Sequence, residues 1–520
     1  MLIPSILNRA LELYPEKEAI SSGKERFTYA RFGDRVNRLA HHLLSSGVSK
    51  GDCVAILMHN THEFLEAYFA TALIGAVLNP LNFRLSAREL AFILKDSKAG
   101  LLIAARRFAE GVEKLATLDT ALEHVLWTGP GDTPPGFDPL DYETTLHEHS
   151  PLPPPETDLS EKDVAHLYYT SGTTGLPKGV MLTHKNVATH ALCAIAELNL
   201  NDTDVWAHIA PLFHLADAWA SFAITWAGGR HVMVPVFDAP EVLKTIQGER
   251  VTLSNLIPTM LNMLVNTPDV ETFDFSSLRV VLSGGAPIAP ELVRKIMDTF
   301  KCDYIQTYGM TETSPYLTVS ILKKNLLHLP EEARFEYKAM TGRPLIGVDL
   351  RVIRPDGTDI ERDGQEVGEI IVRGDTITPG YWNRPEETQK ALKEGWLYTG
   401  DLAVMEKEGY VNIVDRKKDM IVTGGENVYS TEVENVLYMH PQILEAAVIG
   451  VPDEYWGEAV RACVVLKKGE RVTEEEIIQF CKEHIASYKA PKGVDFLDEL
   501  PKTGSGKIYK MGLKERYGKS

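Results

Sequence analysis

The sequence has few cysteines and no excess of positive charge, and both shortages exclude classes of protein. The five cysteines among 520 residues are scattered, form no C-x-x-C pair, and are Cys53, Cys193, Cys302, Cys463 and Cys481. That usage argues against a disulfide framework or a cysteine zinc site and suits a reducing cytoplasm. Lysine and arginine total 54 against 72 acidic residues, a net charge of −18, which disfavours nonspecific binding to nucleic acid or to an anionic membrane surface.

Long apolar runs are also missing. No run reaches the roughly 18 residues that a bilayer-spanning helix needs. Residues 1–19 lack the basic and apolar regions of a signal peptide, and their apolar side chains recur at helical spacing. We therefore predict an amphipathic first helix and a cytoplasmic protein, with a transient contact of that helix with a membrane left open.

The chain is too long for a single hydrophobic core, so two or more domains are expected. Strand-like and helical patterns alternate over residues 25–127 and again over 165–345, which predicts parallel α/β layers. Residues 346–414 contain short apolar runs with turn residues, which predicts strands, and a new α/β pattern follows Asp415. Residues 321–341 are predicted to form either a lid over a substrate mouth or an exposed helix pair.

One stretch, YTSGTTGLPKG at residues 169–179, concentrates the side chains that hold phosphate. It is not a Walker A loop, because Pro177 and Gly179 stand where that motif needs a glycine and a hydroxyl residue. A strand-like run precedes it and a helical run follows. We predict a strand-to-helix loop that directs backbone N–H groups, hydroxyls and the Lys178 ammonium at a polyphosphate.

Six motifs, in order along the chain, resemble the adenylate-forming superfamily of acyl-CoA synthetases, luciferases and peptide-synthetase adenylation domains. After YTSGTTGLPKG come SGGAP at 283–287, YGMTETS at 308–314, YTGD at 398–401, DRKKDMIVTGGENVYSTEVE at 415–434 and PKTGSGK at 501–507. The resemblance implies an α/β fold. It has a large N-terminal domain of two α/β subdomains plus a distorted β-barrel over residues 1–417, and a small mobile α+β C-terminal domain over residues 418–520.

The resemblance also implies the reaction. A carboxylate attacks the α-phosphorus of ATP, pyrophosphate leaves, and the thiol of coenzyme A then converts the acyl-adenylate to acyl-CoA and AMP. The implied ligands are a small carboxylic acid, ATP, Mg²⁺ and CoA, with no nucleic acid and no integral membrane segment. A monomer and a homodimer are both left open. The small domain is expected to rotate about a hinge at Lys418 between the two half-reactions.

The resemblance assigns site residues position by position. Catalytic roles fall on Lys507, Thr311, Glu312 and His214, and Glu312 is also the expected magnesium ligand. ATP is expected to bind Thr170, Ser171, Gly172, Thr173, Thr174, Gly175, Lys178, Gly284, Gly285, Ala286, Gln306, Thr307, Tyr308, Gly309, Met310, Thr311, Asp401 and Arg416. Coenzyme A is expected at Gly424, Gly425 and Glu426, and the acyl pocket at His214, Trp219 and Gly285.

The identity of the acid is left open. A medium- to long-chain fatty acid leads, because the chain most resembles bacterial fatty acyl-CoA synthetases and because small or apolar residues follow His214. An aryl or alicyclic acid is the alternative, and Asp217 leaves open an amino acid. A carrier-protein acceptor, luciferase-like oxygenation and a catalytically silent acyl-adenylate binder are further alternatives. The last is disfavoured by the intact set Lys178, Glu312, Asp401, Arg416 and Lys507.

Overall fold

The computed structural model describes residues 1–134, 136–137, 140–170, 177–453, 455–502 and 508–517. The chain divides into two compact units. Unit 1 comprises Met1–Asp349 and Arg373–Leu397, and unit 2 comprises Leu350–Val372 and Tyr398–Ser520. No helix in the described ranges combines the length and apolar character needed to cross a bilayer.

Strands and helices are numbered here in chain order. The described strands are β1 (Glu18–Ser22), β2 (Glu25–Thr28), β3 (Cys53–Leu57), β4 (Val77–Pro80), β5 (Leu101–Ala105), β6 (His124–Thr128), β7 (Leu140–Asp141), β8 (Val164–Thr170), β9 (Lys178–Thr183), β10 (Val205–His208), β11 (Arg230–Met233), β12 (Leu253–Leu256), β13 (Val280–Gly284), β14 (Asp303–Gly309), β15 (Tyr316–Val319), β16 (Arg343–Pro344), β17 (Val348–Ile353), β18 (Gly368–Gly374), β19 (Leu392–Lys393), β20 (Trp396–Met405), β21 (Val411–Arg416), β22 (Ile421–Thr423), β23 (Glu426–Val428), β24 (Ile443–Asp453), β25 (Gly457–Leu466) and β26 (Gly493–Phe496).

The described α-helices are α1 (Ile3–Leu13), α2 (Tyr29–Ser45), α3 (His62–Ile74), α4 (Ala87–Ser97), α5 (Ala109–Leu115), α6 (Tyr142–Glu148), α7 (His184–Leu198), α8 (Leu215–Ala227), α9 (Ala239–Gly248), α10 (Pro258–Val265), α11 (Pro290–Phe300), α12 (Glu331–Ala339), α13 (Pro385–Ala391), α14 (Ser430–Met439), α15 (Glu474–His484) and α16 (Lys510–Tyr517). Short 3-10 helices span Arg106–Phe108, Val270–Thr272, Thr311–Thr313 and Lys324–Leu326.

Two sheets organise unit 1. The first has the order β7-β6-β5-β3-β4-β8-β9 and is parallel except for the final β8–β9 pair. The second has the order β16-β15-β14-β13-β12-β10-β11-β1-β2, with a parallel centre from β14 to β1 and antiparallel edges. Strand β3 is buried along its whole length, as expected in a parallel sheet covered on both faces.

Apolar cores lie under both sheets. Helices α4 and α5 bury Leu90, Leu94 and Val112 against strands β3, β5 and β6. Helices α9, α10 and α11 bury their apolar faces against β10 to β14 in a second cluster. Such non-polar burial is the main favourable contribution to the stability of each layer.

Helix α12, in the second half of the 321–341 segment, packs on this second core. Phe335 of α12 is 6% exposed within the apolar cluster, and the guanidinium of Arg294 lies 5.0 Å from its ring centre. Lys338 is 7% exposed; its ammonium pairs with Asp303 and donates to the backbone oxygen of Tyr304 at 3.1 Å. Because α12 is anchored by burial and by a buried cation, it is not part of an exposed helix pair, and the lid stays a prediction.

Unit 2 contains a sheet built on strands β17, β18, β20 and β21, in which β20 and β21 pair antiparallel. A separate sheet follows with the order β23-β22-β25-β24 and β26 beside β25. The long antiparallel pair β24–β25 is buried from Ala446 to Val451 on one strand and from Ala459 to Val465 on the other, apart from Arg461. Helices α14 and α15 pack on this sheet through Val433, Leu437 and Ile477.

The predicted α/β fold, with a large N-terminal part and a smaller C-terminal part, is confirmed. One local prediction is wrong: YTSGTTGLPKG does not lead from a strand into a helix. Strand β9 follows the loop and pairs antiparallel with β8, so the loop connects a hairpin. Helix α7 begins only after Thr183, whose hydroxyl accepts from the Asn186 amide in a capping box. The boundary at residue 418 and the hinge at Lys418 stay predictions.

Candidate active site

The hairpin β8–β9 carries two of the predicted ATP contacts. Thr170, the last residue of β8, lies opposite Lys178, the first residue of β9. The ammonium nitrogen of Lys178 lies 5.4 Å from the centre of the Tyr381 ring, which orients it by a cation–π contact. The predicted contacts Ser171, Gly172, Thr173, Thr174 and Gly175 lie outside the described residues.

Tyr381 also binds the predicted magnesium ligand. Its hydroxyl donates to Oε1 of Glu312 at 2.9 Å, and the main-chain oxygen of Glu312 accepts from the Thr378 amide at 2.8 Å. Burial, and then the charge of Glu312, raise the pKa of Tyr381, so its hydroxyl stays a protonated donor. Glu312 is only 7% exposed. Tyr381 therefore contacts both Lys178 and Glu312, which lie far apart in the sequence.

Sequence reasoning did not select Tyr381. The residue follows Pro379 and Gly380, a pair typical of a turn. Around it, the backbone of Trp382 donates to Gly179 O at 2.7 Å and Met181 N donates to Gly380 O at 3.1 Å. This pairing with β9 places the tyrosine beside the hairpin, and an aromatic residue after a turn gave no sign of that pairing.

The predicted nucleotide residues of strands β13 and β14 lie side by side. Gly284 pairs with Thr307, and a Cβ at Gly284 would lie 2.6 Å from Thr307 Oγ1 and 2.9 Å from its main-chain oxygen. The backbone contact therefore requires glycine. The amide of Gln306 donates to Ala286 O at 2.9 Å, and Gly285 has a φ of +83°. These contacts hold the end of β13 against β14.

The rest of the YGMTETS motif continues from β14 into the short helix that carries Glu312. Tyr308 and Gly309 complete the strand, and a Cβ at Gly309 would lie 1.8 Å from Pro315 O. Met310 N donates to that same Pro315 oxygen at 3.2 Å, and Thr311 begins the 3-10 helix. This tight return positions the Glu312 carboxylate near the strand end.

Helix α8 carries the predicted acid-pocket residues. His214 immediately precedes it, with its backbone N–H donating to Pro211 O at 3.0 Å and its ring packed on Phe213 at 4.5 Å. Trp219 is 2% exposed, and its indole N–H contacts Ala216 O and the Tyr316 hydroxyl, each at 3.0 Å.

Asp217, which left open an amino acid substrate, points into the protein. Its two oxygens accept from the Trp206 indole N–H at 3.1 Å and face His208 Nδ1 at 2.6 Å. Both Asp217 and His208 are fully buried, and burial raises the pKa of Asp217. Because its carboxyl is already engaged, Asp217 does not fit the role of partner for a substrate ammonium.

The chain of hydrogen bonds continues back to α8. His208 Nε2 lies 2.9 Å from His231 Nδ1, and His231 Nε2 lies 3.0 Å from Thr225 Oγ1. Thr225 donates to Ser221 O at 2.7 Å, so it accepts from His231 Nε2–H. His231 Nδ1 then accepts from His208 Nε2–H, which leaves one proton shared between His208 and Asp217. These tautomers follow from the network.

Unit 2 contributes its own cluster of predicted residues. Asp401 is 3% exposed and lies 3.1 Å from Nε of Arg416, which faces it across the β20–β21 pair. Gly424 and Gly425 have φ of +60° and +84°, and a Cβ at Gly424 would lie 2.8 Å from the Trp456 ring. Glu426 begins β23 and is exposed. Lys507 lies outside the described residues.

The sequence matches the AMP-binding enzyme family over residues 7–382 and the AMP-binding enzyme C-terminal domain over residues 432–507. The chain belongs to this family of adenylate-forming enzymes and is an AMP-forming acyl-CoA synthetase. The predicted family membership and enzyme class are thereby confirmed.

Three similar proteins bear on the substrate. A feruloyl-CoA synthase of an Amycolatopsis species is 39% identical over 511 residues, 98% of each chain. The crystal structure of the anthranilate CoA ligase AuaEII with anthranoyl-AMP has a TM-score of 0.89 and 26% identity, covering 99% of this chain and 97% of that one. A Mycobacterium tuberculosis fatty acyl CoA synthetase has a TM-score of 0.76 and 32% identity, covering 100% and 98%.

Proposed function

We propose that the protein is an aryl acid–CoA ligase. It joins a carboxylate attached to an aromatic ring, directly or through a short unsaturated chain, to coenzyme A. The names of the feruloyl-CoA synthase and of the anthranilate CoA ligase support this class of acid. The fatty acid that the sequence analysis placed first becomes the second candidate.

The observation that carries the proposal is the ring cluster around Trp219. His190 and Tyr316 contact the indole with ring centres 5.6 and 5.2 Å away, and Trp206 contacts it edge-on at 5.1 Å. Aromatic pairs in such geometries contribute about 0.5–1.5 kcal/mol beyond burial. All four rings are at most 4% exposed. We propose that Trp219 borders the acid, where rigid rings suit a flat ring better than a flexible alkyl chain.

The reaction has two steps, adenylation of the acid and transfer of its acyl group to coenzyme A. An oxygen of the substrate carboxylate forms a bond to the α-phosphorus of ATP, and the bond to the bridging oxygen of pyrophosphate breaks. The sulfur of coenzyme A then bonds to the acyl carbon, AMP leaves with the bond electrons, and the thiol proton passes to solvent. Two anions meet in the first step, so catalysis needs fixed positive charge and hydrogen-bond donors.

We assign that charge in unit 1 to Lys178 for the ATP phosphates. Glu312 would hold Mg²⁺, since a buried carboxylate oriented by Tyr381 is the hard oxygen ligand that this ion takes, with phosphates and waters completing its shell. When bound, the ion neutralises phosphate charge. We assign His214 and Trp219 to the acid. The residues assigned to ATP, besides Lys178, are Thr170, residues 171–175, Gly284, Gly285, Ala286, Gln306, Thr307, Tyr308, Gly309, Met310 and Thr311.

In unit 2 we assign Asp401 and Arg416 to the ribose hydroxyls. The Asp401 carboxylate accepts hydrogen bonds, and Arg416, 51% exposed in its side chain, fixes its orientation. Gly424, Gly425 and Glu426 are assigned to coenzyme A, Lys507 to the carboxylate and α-phosphate, and Lys418 to the hinge between domains 1–417 and 418–520. A cytoplasmic location and a monomeric or dimeric state belong to the same proposal.

The second candidate, a medium- to long-chain fatty acid, is supported by the fatty acyl CoA synthetase among the similar structures. The buried residues Ala218, Ala220 and Phe222 of α8 are compatible with an alkyl chain. Each buried methylene contributes about 0.8 kcal/mol, so such a pocket would select chain length gradually.

The test measures AMP release with Mg-ATP and CoA over a panel of acids: ferulate, benzoate, anthranilate, cyclohexanecarboxylate and straight chains from acetate to palmitate. We expect the highest kcat/KM with a ring acid. Trp219→Leu should lower kcat/KM for ring acids by about 10-fold relative to straight chains, because it removes the ring contacts. A maximum along the straight chains, unchanged in this variant, would establish the second candidate instead.

A further inference from the structure

Lys510, three residues after Lys507, is part of a partly buried charge cluster. Its side chain is 17% exposed, and its ammonium lies 2.7 Å from Oε1 of Glu434, itself 13% exposed. The same ammonium donates to Ser430 Oγ at 2.6 Å. Glu434 Oε1 also accepts from Val448 N at 2.7 Å. The first residue of α16 is thereby fixed to the first two turns of α14.

Ser430 also binds Asp415, which lies on the strand that carries Arg416. Its hydroxyl donates to Asp415 Oδ1 at 3.0 Å while accepting from Lys510. Asp415 is 2% exposed, and its Oδ1 also accepts from the backbone of Arg416 at 2.7 Å. The cluster Lys510–Ser430–Asp415 therefore connects α16 to the last two residues of β21.

The charges make this connection costly to break. Burial raises the pKa of both Asp415 and Glu434, and the positive charge of Lys510 opposes each shift. One ammonium thus compensates two partly or fully buried carboxyls. Removing it would leave buried negative charge without a cation, which is far less favourable than losing an exposed ion pair.

A second contact joins α16 to the predicted hinge. Lys514 Nζ lies 3.5 Å from the backbone oxygen of Lys418 and 3.7 Å from Asp419 Oδ1. One turn of helix separates Lys510 from Lys514, so a single face of α16 meets both the end of β21 and the residues that follow it.

The segment that contains Lys507 has described residues paired on either side. Lys502 and Ile508 form an antiparallel bridge, and Tyr509 N donates to Pro501 O at 2.7 Å. Lys502 is held by Glu445 at 2.6 Å. The described residues on either side of 503–507 are thus paired with each other, directly before the Lys510 cluster.

We propose that Lys510 is a positioning residue for acyl-adenylate formation. Through Ser430 and Asp415 it joins α16, which follows Lys507 in sequence, to the strand end that bears Arg416. Because Ser430 and Lys510 follow the hinge assigned at Lys418 and Asp415 precedes it, we expect this contact to form for the first half-reaction and to separate when the small domain rotates. This inference rests on the proposed function, because it takes Lys507 and Arg416 as ATP contacts.

The experiment separates the two half-reactions in the full-length protein. Acid-dependent ATP–pyrophosphate exchange reports the first, and thioester formation from supplied acyl-adenylate and CoA reports the second. In Lys510→Met we expect the exchange kcat to fall on the order of 10- to 100-fold, because a small misplacement of a catalytic group has such effects. Thioester formation should stay near the wild-type rate, as it should in Lys507→Ala.

Lys467→Met is the matched control, since this exposed lysine of unit 2 contacts a backbone oxygen, Pro441 O. It should leave both half-reactions unchanged. Lys510→Arg should restore part of the exchange, and Ser430→Ala, which removes the link but keeps Lys510 beside Glu434, should lower exchange without lowering thioester formation. If Lys510→Met does not fold, these two variants test the positioning role of Lys510 in its place.

Equal losses in both half-reactions, or no loss of exchange, would overturn the positioning role. A wild-type protein that shows no acid-dependent exchange with any acid of the panel would instead contradict the proposed function, so the two failures are distinguishable.

Discussion

Each unit contains a lysine beside its predicted chemistry, and the two lysines have different partners. Lys178 of unit 1 faces the Tyr381 ring at 5.4 Å, whereas Lys510 of unit 2 lies 2.7 Å from the Glu434 carboxylate. An aromatic ring orients an ammonium without neutralising it, but a carboxylate cancels its charge. The neighbours of a lysine, more than its place in a motif, decide whether its charge serves an anionic substrate or the fold.

Glu312→Gln should have the largest effect. We expect the kcat of acid-dependent pyrophosphate exchange to fall about 100- to 1000-fold, because the anionic oxygen that organises positive charge at the phosphates is lost. The amide oxygen can still accept from Tyr381, so thermal stability should change little. Glu241→Gln, at an exposed glutamate of α9, is the control. If pyrophosphate exchange in Glu312→Gln ran at the rate of the control variant, the assignment of Glu312 to the active site would be wrong.

Lys178→Met tests whether the lysine of unit 1 binds ATP. The KM for ATP should rise on the order of 10-fold, equivalent to about 1.4 kcal/mol of binding free energy, because the ammonium proposed to bind the ATP phosphates is lost. Steady-state kinetics on Lys178→Met and Lys510→Met in parallel give the measurement. A raised KM for ATP in Lys510→Met together with an unchanged KM in Lys178→Met would contradict the different roles of the two lysines.

Tyr381→Phe should have a smaller effect. The ring stays under Lys178, but the hydroxyl that donates to Glu312 is lost, and a buried charged acceptor loses a donor. We expect kcat/KM for ATP to fall about 5- to 10-fold. Tyr381→Leu, which removes the ring as well, should add the loss in ATP affinity seen with Lys178→Met. Identical kinetics in the two tyrosine variants would show that the ring does not orient the lysine.

Acidification should lower the stability of unit 1 because a buried histidine cannot readily take up a proton in the folded state. His166 is fully buried, and burial lowers its pKa to about 3. An unfolded histidine takes up a proton near pH 6.5, so the unfolded state binds more protons between pH 6.5 and 3 and stability falls as pH falls through that window. At pH 5.5 this single group lowers the unfolding free energy by about 1.4 kcal/mol.

Urea unfolding of wild type and His166→Phe at pH 7.5 and 5.5 measures that contribution. The variant should lose less stability on acidification, because phenylalanine takes up no proton. Its ring should fit the site, since Tyr68 and Phe222 already contact the His166 ring there. His147→Phe, at an exposed position, should keep the wild-type pH dependence. Equal slopes for wild type and His166→Phe would refute the assignment.

Much of the fold could be predicted because its signals are local. Strands β3 and β5 lie within residues 25–127, where alternating strand-like and helical patterns predict parallel layers, and the first amphipathic pattern corresponds to α1. Gly75 and Gly228 end α3 and α8 in left-handed conformations, as glycine after an apolar helix indicates. The strand β9 was missed because KGVMLT is short and runs directly into a helical pattern.

The candidate site was predictable only where a motif places residues next to each other. Gly284, Gln306 and Thr307 lie together because their strands are neighbours. Tyr381, by contrast, reaches Glu312 through a pairing with β9 some two hundred residues away in sequence. The engagement of Asp217 by His208, and of Lys510 by Glu434, likewise depends on tertiary contacts that no spacing in the sequence reveals.

Helix α8 is fastened near both ends, at Asp217 and at Thr225, by hydrogen bonds that run through two strands of the sheet. Trp219 lies between these two anchors, so its substitution leaves both sets of hydrogen bonds in place. On our proposal that Trp219 contacts the acid, the acid preferred by a protein of this fold could be changed by substitution within a single turn while both ends of the helix stay fixed.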